Sequence, residues 1–309
     1  MNAPLAPLVA WYRRVKRPMP WRLKPAPYAC WLSEIMLQQT TYEQALPYYT
    51  RFLATFPTVE SLAAASEAAV LKAWEGLGYY ARARNLLKAA QQIIASGWPR
   101  SAAEWRALPG VGPYTAAALA SVLSGERVAV VDGNVARVFA RYWRLKDDFS
   151  KLPQRAQLAA RLTDAMCGKP GDFNQAMMEL GQCVCTPTSP ACAKCPLHSS
   201  CASYAADCVA DYPVKTPRKA LPVREAAAVV LTDSAGKVLL VQNQAGKLLK
   251  GLWDLPRLEP SDAYEQTFTH FKLVLSVNRV SAAGVYVDPR QVPLTNAAKC
   301  ILKRMGILA

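Results

Sequence analysis

The spacing of apolar residues divides the chain into two parts with different secondary structure. Through the first two thirds, apolar residues recur three and four positions apart, as in Trp31 with Ile35 and in Val70 with Trp74, which is the period of helices with one buried face. Beyond residue 222, the runs AAAVVLT, KVLLVQ, FKLVLSV and AGVYV are short and rich in β-branched residues, as strands are. The pattern predicts a mostly α-helical fold followed by a small α+β domain, with a β-hairpin joining its first two strands.

The stretch between the two parts has the composition of a linker. Residues 206–223 contain prolines and basic residues and no clear apolar period, which suits an extended connection. A chain of 309 residues is long enough for two hydrophobic cores. We therefore predict a helical domain over residues 1–205, a linker over 206–223 and a second domain over 224–309.

Charge favours a polyanionic partner. Lys and Arg number 37 against 22 Asp and Glu, giving a net charge of +15, and such an excess is typical of nucleic-acid-binding proteins; a merely well-solvated surface is the alternative. No apolar run approaches the roughly 20 residues of a membrane span, and the apolar stretch at the start is too short for a signal peptide. We expect a cytoplasmic, nucleoid-associated protein with no membrane partner.

Four of the nine cysteines crowd into seventeen residues with the spacing C-x6-C-x2-C-x5-C. They are Cys185, Cys192, Cys195 and Cys201. In a reducing compartment such crowding indicates a metal site rather than disulfides. Four thiolates suit either a tetrahedral zinc ion or an iron–sulfur cluster, and spacing alone does not choose between them.

The segment LPGVGPYTA predicts a tight turn between two helices. Gly110, Val111 and Gly112 precede a proline at the first position of the next helix, which leaves backbone N–H groups exposed at a helix N-terminus. Such a turn can hold a phosphate, and its glycines let a DNA backbone approach closely. The alternative is an ordinary helix connection.

Two carboxylates have opposite surroundings. Asp132 precedes a helix, where the N-terminal dipole favours the ionised form, although capping alone would explain an aspartate there. Glu34 lies mid-helix among Trp31, Ile35 and Leu37, where desolvation favours the protonated form; an exposed helical glutamate is the alternative. One acid that donates a proton and one that stabilises a developing cation are what cleavage of a glycosidic bond requires.

Together these segments resemble the A/G-specific adenine DNA glycosylase family, MutY, of the helix-hairpin-helix superfamily, over nearly all of residues 1–212. The matching segments are PWR, WLSEIMLQQT, GLGYYARARNL, LPGVGPYTA, VVDGNV, FNQAMMELG and the four cysteines. The resemblance implies a helix-hairpin-helix glycosylase fold. It also implies that the cysteines hold a [4Fe-4S] cluster.

The resemblance assigns roles to the carboxylates. Glu34 would protonate the adenine of a flipped-out nucleotide and Asp132 would stabilise the cation. Asn134 and Tyr114 would complete the site. In the related endonuclease III branch the hairpin resembles LPGVGRKTA, whose lysine forms a Schiff base; Tyr114 takes its place here, which predicts a monofunctional glycosylase.

The resemblance also implies DNA contacts. They comprise Arg22, the hairpin residues Gly110, Val111 and Gly112, and four residues near the distorted base pair, Gln38, Thr40, Leu77 and Tyr79. The C-terminal domain would be a shortened Nudix-like domain, with KLLKGLWDLP and FTH as its matching segments. Within the second segment, Phe268, Thr269 and His270 would recognise 8-oxoguanine.

The sequence therefore predicts a monomeric base excision repair enzyme that removes adenine paired with 8-oxoguanine or guanine in double-stranded DNA and leaves an abasic site. Two alternatives stay open. One is another glycosylase of the superfamily, acting on mismatched thymine or oxidised pyrimidines. The other is a lesion-binding protein without turnover.

Overall fold

The computed structural model describes residues 5–214, 222–243, 249–258, 263–268, 272–280 and 286–308. By its contacts the chain separates into two compact units that do not follow chain order. Unit 1 comprises Met1–Gln38 and Gln92–Pro217, and unit 2 comprises Gln39–Gln91 and Arg218–Ala309. The domain bounds drawn from the sequence, with a linker at 206–223, stay a prediction.

The described residues are mostly helical. The helices are α1 (Ala6–Val15), α2 (Pro20–Leu23), α3 (Pro27–Met36), α4 (Tyr42–Thr55), α5 (Val59–Ala63), α6 (Glu67–Ala73), α7 (Ala81–Ser96), α8 (Ala102–Ala107), α9 (Pro113–Leu123), α10 (Gly133–Trp143), α11 (Leu152–Asp164), α12 (Pro170–Cys183), α13 (Ala202–Ala205) and α14 (Asn296–Arg304). The strands are β1 (Val223–Leu231), β2 (Val241–Gln242), β3 (Trp253–Asp254), β4 (Arg257–Leu258), β5 (Ala263–Thr267) and β6 (Lys272–Val280). This distribution confirms the predicted fold class, a mostly α-helical chain whose strands lie near its C-terminus.

The core of unit 1 forms where α10 packs on α12. Phe139 on α10 and Phe173 and Met177 on α12 are fully buried in one apolar cluster. The two helices approach so closely that a Cβ added at Gly181 would lie 2.8 Å from the Cβ of Asn134. Real Cβ atoms do not come so near each other, so the contact between the helices requires glycine at this position.

Unit 2 combines a helical segment with the C-terminal strands. In the helical segment, Phe52 on α4 packs edge-on against Trp74 after α6, with ring centroids 5.8 Å apart. The C-terminal strands form a sheet in the order β4-β1-β6-β5, in which β1 and β6 are parallel, while β2 and β3 pair in a second sheet. Ile301 and Leu302 of α14 join Val230 and Leu240 in the core of this part.

The predicted β-hairpin is correct at its turn and wrong beyond it. The Asp233 carboxylate accepts the N–H groups of Ala235 and Lys237, and Thr232 and Val238 form one antiparallel bridge. After that bridge the chain leaves β1, and β2 pairs with β3 instead. Both edges of β1 are already occupied, by β4 and by β6. In the described segments, no helix combines the length and apolarity that crossing a membrane demands.

The close contact at Gly181 gives a stability prediction. Alanine gains about 1 kcal/mol of helix propensity over glycine, yet Gly181→Ala must force α10 and α12 apart, and overpacking of this kind costs about 1 to 3 kcal/mol. We expect a net loss of about 1 kcal/mol in chemical denaturation followed by tryptophan fluorescence. Gly133→Ala on α10 is the matched control, because a Cβ there meets nothing within 4 Å. Equal stability of the two variants would contradict the proposed close packing.

Candidate active site

Glu34 is less buried than its neighbours on α3. α3 begins at Pro27, where the missing N–H of proline costs no intrahelical bond. Every other residue from Cys30 to Met36 is buried, while Glu34 is half-buried. Trp31 packs edge-on against Trp98, with ring centroids 6.1 Å apart, and so fixes the helix. The carboxyl group of Glu34 is thus held at the border between the protein interior and solvent.

Three effects set the pKa of Glu34. Desolvation raises the pKa of Glu34 from 4.5 to about 7, and the nearby charge of Asp132 acts in the same direction. The positive charge of Arg22 partly offsets them. A carboxyl with this pKa keeps its proton on a large fraction of molecules at neutral pH. The direction of the shift and its main cause are those that the sequence predicted.

Asp132 occupies the N-cap of α10. Its Oδ1 accepts the backbone N–H of Val135 at 2.7 Å, and its Oδ2 accepts the side-chain amide N–H of Asn134 at 3.0 Å. Asp132 therefore caps α10, as its alternative interpretation expected. The cap fixes both carboxylate oxygens at the positive end of the helix. A carboxylate held in this way can face a cation without rearranging.

Tyr114 shares this electrostatic environment. It lies in the first turn of α9, and its hydroxyl donates to the Sδ of Met178 at 2.7 Å. Burial raises the pKa of Tyr114 well above its ordinary value, and the charges of Glu34 and Asp132 add to the shift. The structure thus brings together Glu34, Asp132, Tyr114 and Asn134, the four residues that the sequence placed in one site.

The turn between α8 and α9 has the geometry expected of a helix-hairpin-helix. Gly110 adopts a φ of 79°, which glycine reaches without strain, and the N–H of Val111 donates to the carbonyl of Leu108 at 3.2 Å. Gly112 is exposed, and a Cβ there would meet no protein atom within 4 Å. Packing inside the protein therefore does not explain this glycine, and the surface there is open to another molecule.

Gln38 lies against the same turn. Its Nε2 donates to the Oγ1 of Thr115 at 3.2 Å and to the carbonyl of Gly110 at 3.4 Å. These bonds orient the side chain that follows α3 toward the hairpin. Two predicted DNA contacts, Gln38 and the hairpin, are therefore neighbours within unit 1.

Hydrogen bonds connect Asp132 to the cysteine loop. Arg137 donates to the Oδ1 of Asn134 at 3.0 Å, to the carbonyl of Gly181 at 2.7 Å and to the carbonyl of Cys185 at 3.0 Å. Because Asn134 in turn binds Asp132, the orientation of the carboxylate depends on the loop that carries Cys185.

Four cysteines line one pocket of unit 1. They are Cys185, Cys192, Cys195 and Cys201. Burial raises the pKa of Cys195 to about 11, and the three neighbouring thiols contribute. Nη1 of Arg141 lies 3.4 Å from the Sγ of Cys185, so a cation is at hand to stabilise thiolates.

Four thiols are a donor set that a zinc ion or an iron–sulfur cluster can use. One zinc ion holds each of its sulfurs at about 2.3 Å, which packs the four sulfurs against one another. In the parts of the chain that the structure describes, no three or more Cys, His, Asp or Glu side chains are drawn together as ligands of one metal ion. The four cysteines nevertheless share one pocket.

Glu179 is a site residue whose role the sequence does not indicate. It is 2% exposed on α12, and it accepts hydrogen bonds from Arg17 and from Arg22, the latter at 2.9 Å. Desolvation alone would raise the pKa of Glu179, but these hydrogen bonds outweigh it and lower the pKa. A buried carboxylate therefore holds Arg22 close to Glu34. The carboxylate lies in the segment FNQAMMELG, but its partners are more than 150 positions away, so no local pattern points to the pair.

The other predicted contacts at the distorted base pair belong to unit 2. The guanidinium of Arg82 donates to the Oγ1 of Thr40 at 3.3 Å and to the carbonyl of Leu77 at 3.2 Å. Leu77 is buried, and Tyr79 is 42% exposed with a φ of 49°. Arg82 thus contacts Thr40, Leu77 and Tyr79, which all belong to unit 2.

The predicted 8-oxoguanine contacts are only partly described. Phe268 is half-buried against the apolar core of the C-terminal part, so its ring has a packing role there. Thr269 and His270 lie outside the described residues. Their part in recognition stays a prediction.

The hairpin and the two carboxylates are typical of helix-hairpin-helix base excision repair proteins. Comparison with known proteins supports this class. The model of the HhH-GPD superfamily base excision DNA repair protein matches residues 32–163. The solved structure of a thermostable thymine-DNA glycosylase superposes with a TM-score of 0.59 and 28% identity, covering 65% of this chain and 95% of that chain.

Two curated relatives narrow the class to one family. The adenine DNA glycosylase of Homo sapiens is 36% identical over 84% of this chain. That of Schizosaccharomyces pombe is 35% identical over 82% of this chain. The chain belongs to the adenine DNA glycosylase family, which confirms the resemblance seen in the sequence. It spans 58% of the length of the human relative and 68% of that of the yeast relative.

The surroundings of Glu34 give a titration prediction. In ¹³C NMR of the labelled protein, the Glu34 carboxyl, assigned through Glu34→Gln, should titrate near pH 7. Asp132→Asn removes a negative charge that disfavours ionisation, so it should lower the pKa of Glu34. Glu60 is an internal reference, because a hydrogen bond from Thr58 lowers its pKa. If Glu34 and Glu60 have the same pKa, in the wild-type protein or in Asp132→Asn, the result would contradict the site geometry.

Proposed function

We propose that this protein is a monofunctional DNA glycosylase that removes adenine mispaired with 8-oxoguanine or guanine. The observation that carries the proposal is the pair Glu34 and Asp132. Burial raises the pKa of Glu34 to about 7, while a helix N-terminus and two N–H donors hold Asp132. One group is suited to give up a proton and the other to face a positive charge.

The reaction follows from these two roles. Glu34 donates its proton to a ring nitrogen of adenine, and the bond between N9 and C1′ breaks with its electron pair leaving on the base. The sugar becomes an oxocarbenium-like cation, which the Asp132 carboxylate stabilises. Water adds its oxygen to C1′ and releases a proton. The products are free adenine and an abasic site.

The hairpin residue Tyr114 supports a monofunctional reaction. A Schiff base with the sugar needs an amine, and the phenol of Tyr114 offers none. Its hydroxyl is occupied with Met178, and its raised pKa keeps it neutral. Strand cleavage through an imine at this position therefore has no nucleophile.

Adenine inside a duplex is out of reach of Glu34, so the nucleotide must leave the stack. Flipping costs a few kcal/mol, least at a mispair. The exposed glycine turn can hold the phosphates beside the lesion, while the family resemblance assigns Gln38 and Tyr79 to the stack around the distorted pair. The curated relatives are named adenine DNA glycosylases, and this supports adenine as the base that is removed.

We assign a [4Fe-4S] cluster to the four cysteines of the pocket. Their number, their shared pocket and the neighbouring Arg141 suit it. When bound, such a cluster supplies an anionic iron–sulfur core that crosslinks the loop. The loop acts on the site through the backbone carbonyl of Cys185, which accepts a hydrogen bond from Arg137, and Arg137 and Asn134 in turn orient Asp132.

A second candidate, removal of thymine from mismatches, is favoured by the likeness to a thymine-DNA glycosylase structure. A substrate panel separates the two. Single-turnover base release is measured on duplexes with adenine opposite 8-oxoguanine, adenine opposite guanine, and thymine opposite guanine. Release of adenine and not thymine is expected; the reverse would replace the proposed substrate, and binding without release of any base would indicate a lesion-binding protein.

Replacement of Glu34 tests its role in the reaction. Loss of a general acid costs about a hundredfold or more in rate, so Glu34→Gln should slow adenine release by at least that factor while duplex affinity stays nearly unchanged. Glu60→Gln is the matched control, because Glu60 is exposed; it should react at the wild-type rate. Full turnover by Glu34→Gln would remove this residue from the mechanism.

Metal content tests the cofactor. Purified protein should contain about four iron atoms per chain and show the broad visible absorbance of an iron–sulfur cluster. Cys195→Ser should lose iron and absorbance, whereas Cys300→Ser, outside the pocket, should keep both. A colourless protein with one zinc atom per chain would refute the cluster.

A further inference from the structure

The loop from Gly76 to Tyr80, called here the Gly76–Tyr80 loop, has an unusual backbone. Gly76, Gly78 and Tyr79 have φ values of 95°, 75° and 49°. A tyrosine in the left-handed region is uncommon and strained. Such a conformation persists only where surrounding bonds impose it, so the residues that hold this loop determine where the exposed Tyr79 ring points.

Part of the restraint comes from the flanking helices. The indole N–H of Trp74 donates to the carbonyl of Gly78 at 3.0 Å. Arg82 donates to the carbonyls of Leu77 and Gly78 at 3.2 and 3.3 Å, and its guanidinium lies 5.4 Å from the ring centroid of Tyr79. These bonds fix the middle of the loop.

The remaining restraint comes from a residue that belongs to the loop itself. Tyr80 is 3% exposed. Its hydroxyl accepts the N–H of Gly76 at 3.4 Å and donates to the carbonyl of Leu294 at 3.0 Å. One phenol therefore connects the first residue of the loop to a residue more than two hundred positions later in the chain.

The acceptor carbonyl is itself fixed. Leu294 is fully buried, and β3 holds the residues on both sides of it, because Trp253 donates its N–H to the carbonyl of Pro293 at 2.9 Å and accepts that of Thr295 at 2.8 Å. The Thr295 hydroxyl also donates to Asp254 at 2.9 Å. Residues 292–296, called here the anchor segment, thus form a rigid attachment point in the C-terminal part of unit 2.

Further bonds join the same two parts of unit 2. Lys72 donates to the carbonyl of Val292 at 2.9 Å and to Glu75 at 2.7 Å. Lys299 on α14 lies 3.6 Å from the other carboxylate oxygen of Glu75, which is only 7% exposed. The anchor segment is therefore held against the loop at more than one point.

We propose that Tyr80 is a positioning residue through which the C-terminal part of the chain sets the shape of the Gly76–Tyr80 loop, and with it the placement of Tyr79 against DNA. The inference rests on the proposed function only in taking DNA as the molecule that Tyr79 meets. In this account the C-terminal part acts on the mispair through the loop as well as by any direct contact with it.

The physical reason is preorganisation. Without the phenolic hydroxyl, the N–H of Gly76 and the carbonyl of Leu294 each lose a partner, and a buried unpaired group is costly. The strained Tyr79 backbone can then relax away from the left-handed region. A binding group that must be reordered on contact loses affinity even though its own side chain is unchanged.

Tyr80→Phe in the full chain tests this, because it removes the hydroxyl and keeps the ring. Affinity is measured for a duplex that carries a tetrahydrofuran site opposite 8-oxoguanine, which cannot be cleaved. We expect about tenfold weaker binding, the effect of one lost buried hydrogen bond. Hydrogen–deuterium exchange of the loop amides should become about tenfold faster in the free protein.

A double-mutant cycle separates positioning from general destabilisation. In a Tyr79→Ala background, Tyr80→Phe should weaken binding by less than about twofold, since the group that it positions is gone. Leu62→Ala removes buried apolar contacts in the same unit without removing a bond of the loop; it should lower the Tm and leave affinity and loop exchange near wild type.

The assignment is overturned by unchanged loop exchange in Tyr80→Phe, or by an equal loss of affinity in both backgrounds. Failure of the proposed function has a different signature. In that case the wild-type protein would release no adenine from any duplex, while the exchange of the loop amides would still report whether Tyr80 holds the loop.

Discussion

The Glu34 carboxyl group lies among the buried side chains of α3 and near the negative charge of Asp132, so desolvation and repulsion both oppose its ionisation. Arg22 limits the shift, and the buried Glu179 holds Arg22 in place. The resulting pKa of about 7 is a balance between opposing effects rather than a property of burial alone. A general acid works best when its pKa is near the working pH.

Helix termini supply the second half of the site. Asp132 begins α10, and the glycine turn begins α9, so both use the unpaired N–H groups at a helix start. At α10 those groups hold the carboxylate of Asp132, and at α9 we propose that they hold a phosphate of DNA. Arg137 connects the first helix start to the cysteine loop, so the position of the loop can affect the orientation of the Asp132 carboxylate.

The sequence predicted these features where they are local. The helical period, the turn at Gly110 and the cap at Asp132 each depend on residues within one or two turns of helix. It predicted strand pairing less well, because β1 takes distant partners on both edges and the hairpin therefore stops after one bridge. Glu179 and Tyr80 were missed for the same reason. Each lies in a recognisable segment, but its role comes from partners that only the folded chain brings close.

Through the hydrogen bond between Tyr80 and Leu294, the C-terminal part of unit 2 helps to hold the Gly76–Tyr80 loop in place. A loop with a strained tyrosine needs restraints from several directions, and those from the adjacent helices alone leave its first residue free to move. The anchor segment supplies that restraint. A change in the C-terminal part can therefore alter the shape of the Gly76–Tyr80 loop without any change in the residues of the loop.

The pH dependence of single-turnover adenine release by the wild-type protein, on a duplex with adenine opposite 8-oxoguanine, tests the central claim most directly. If protonated Glu34 is the acid, the rate should be constant below about pH 6 and fall about tenfold per pH unit above its pKa near 7. A rate that stays constant up to pH 9, or one that rises with pH through this range, would contradict the account.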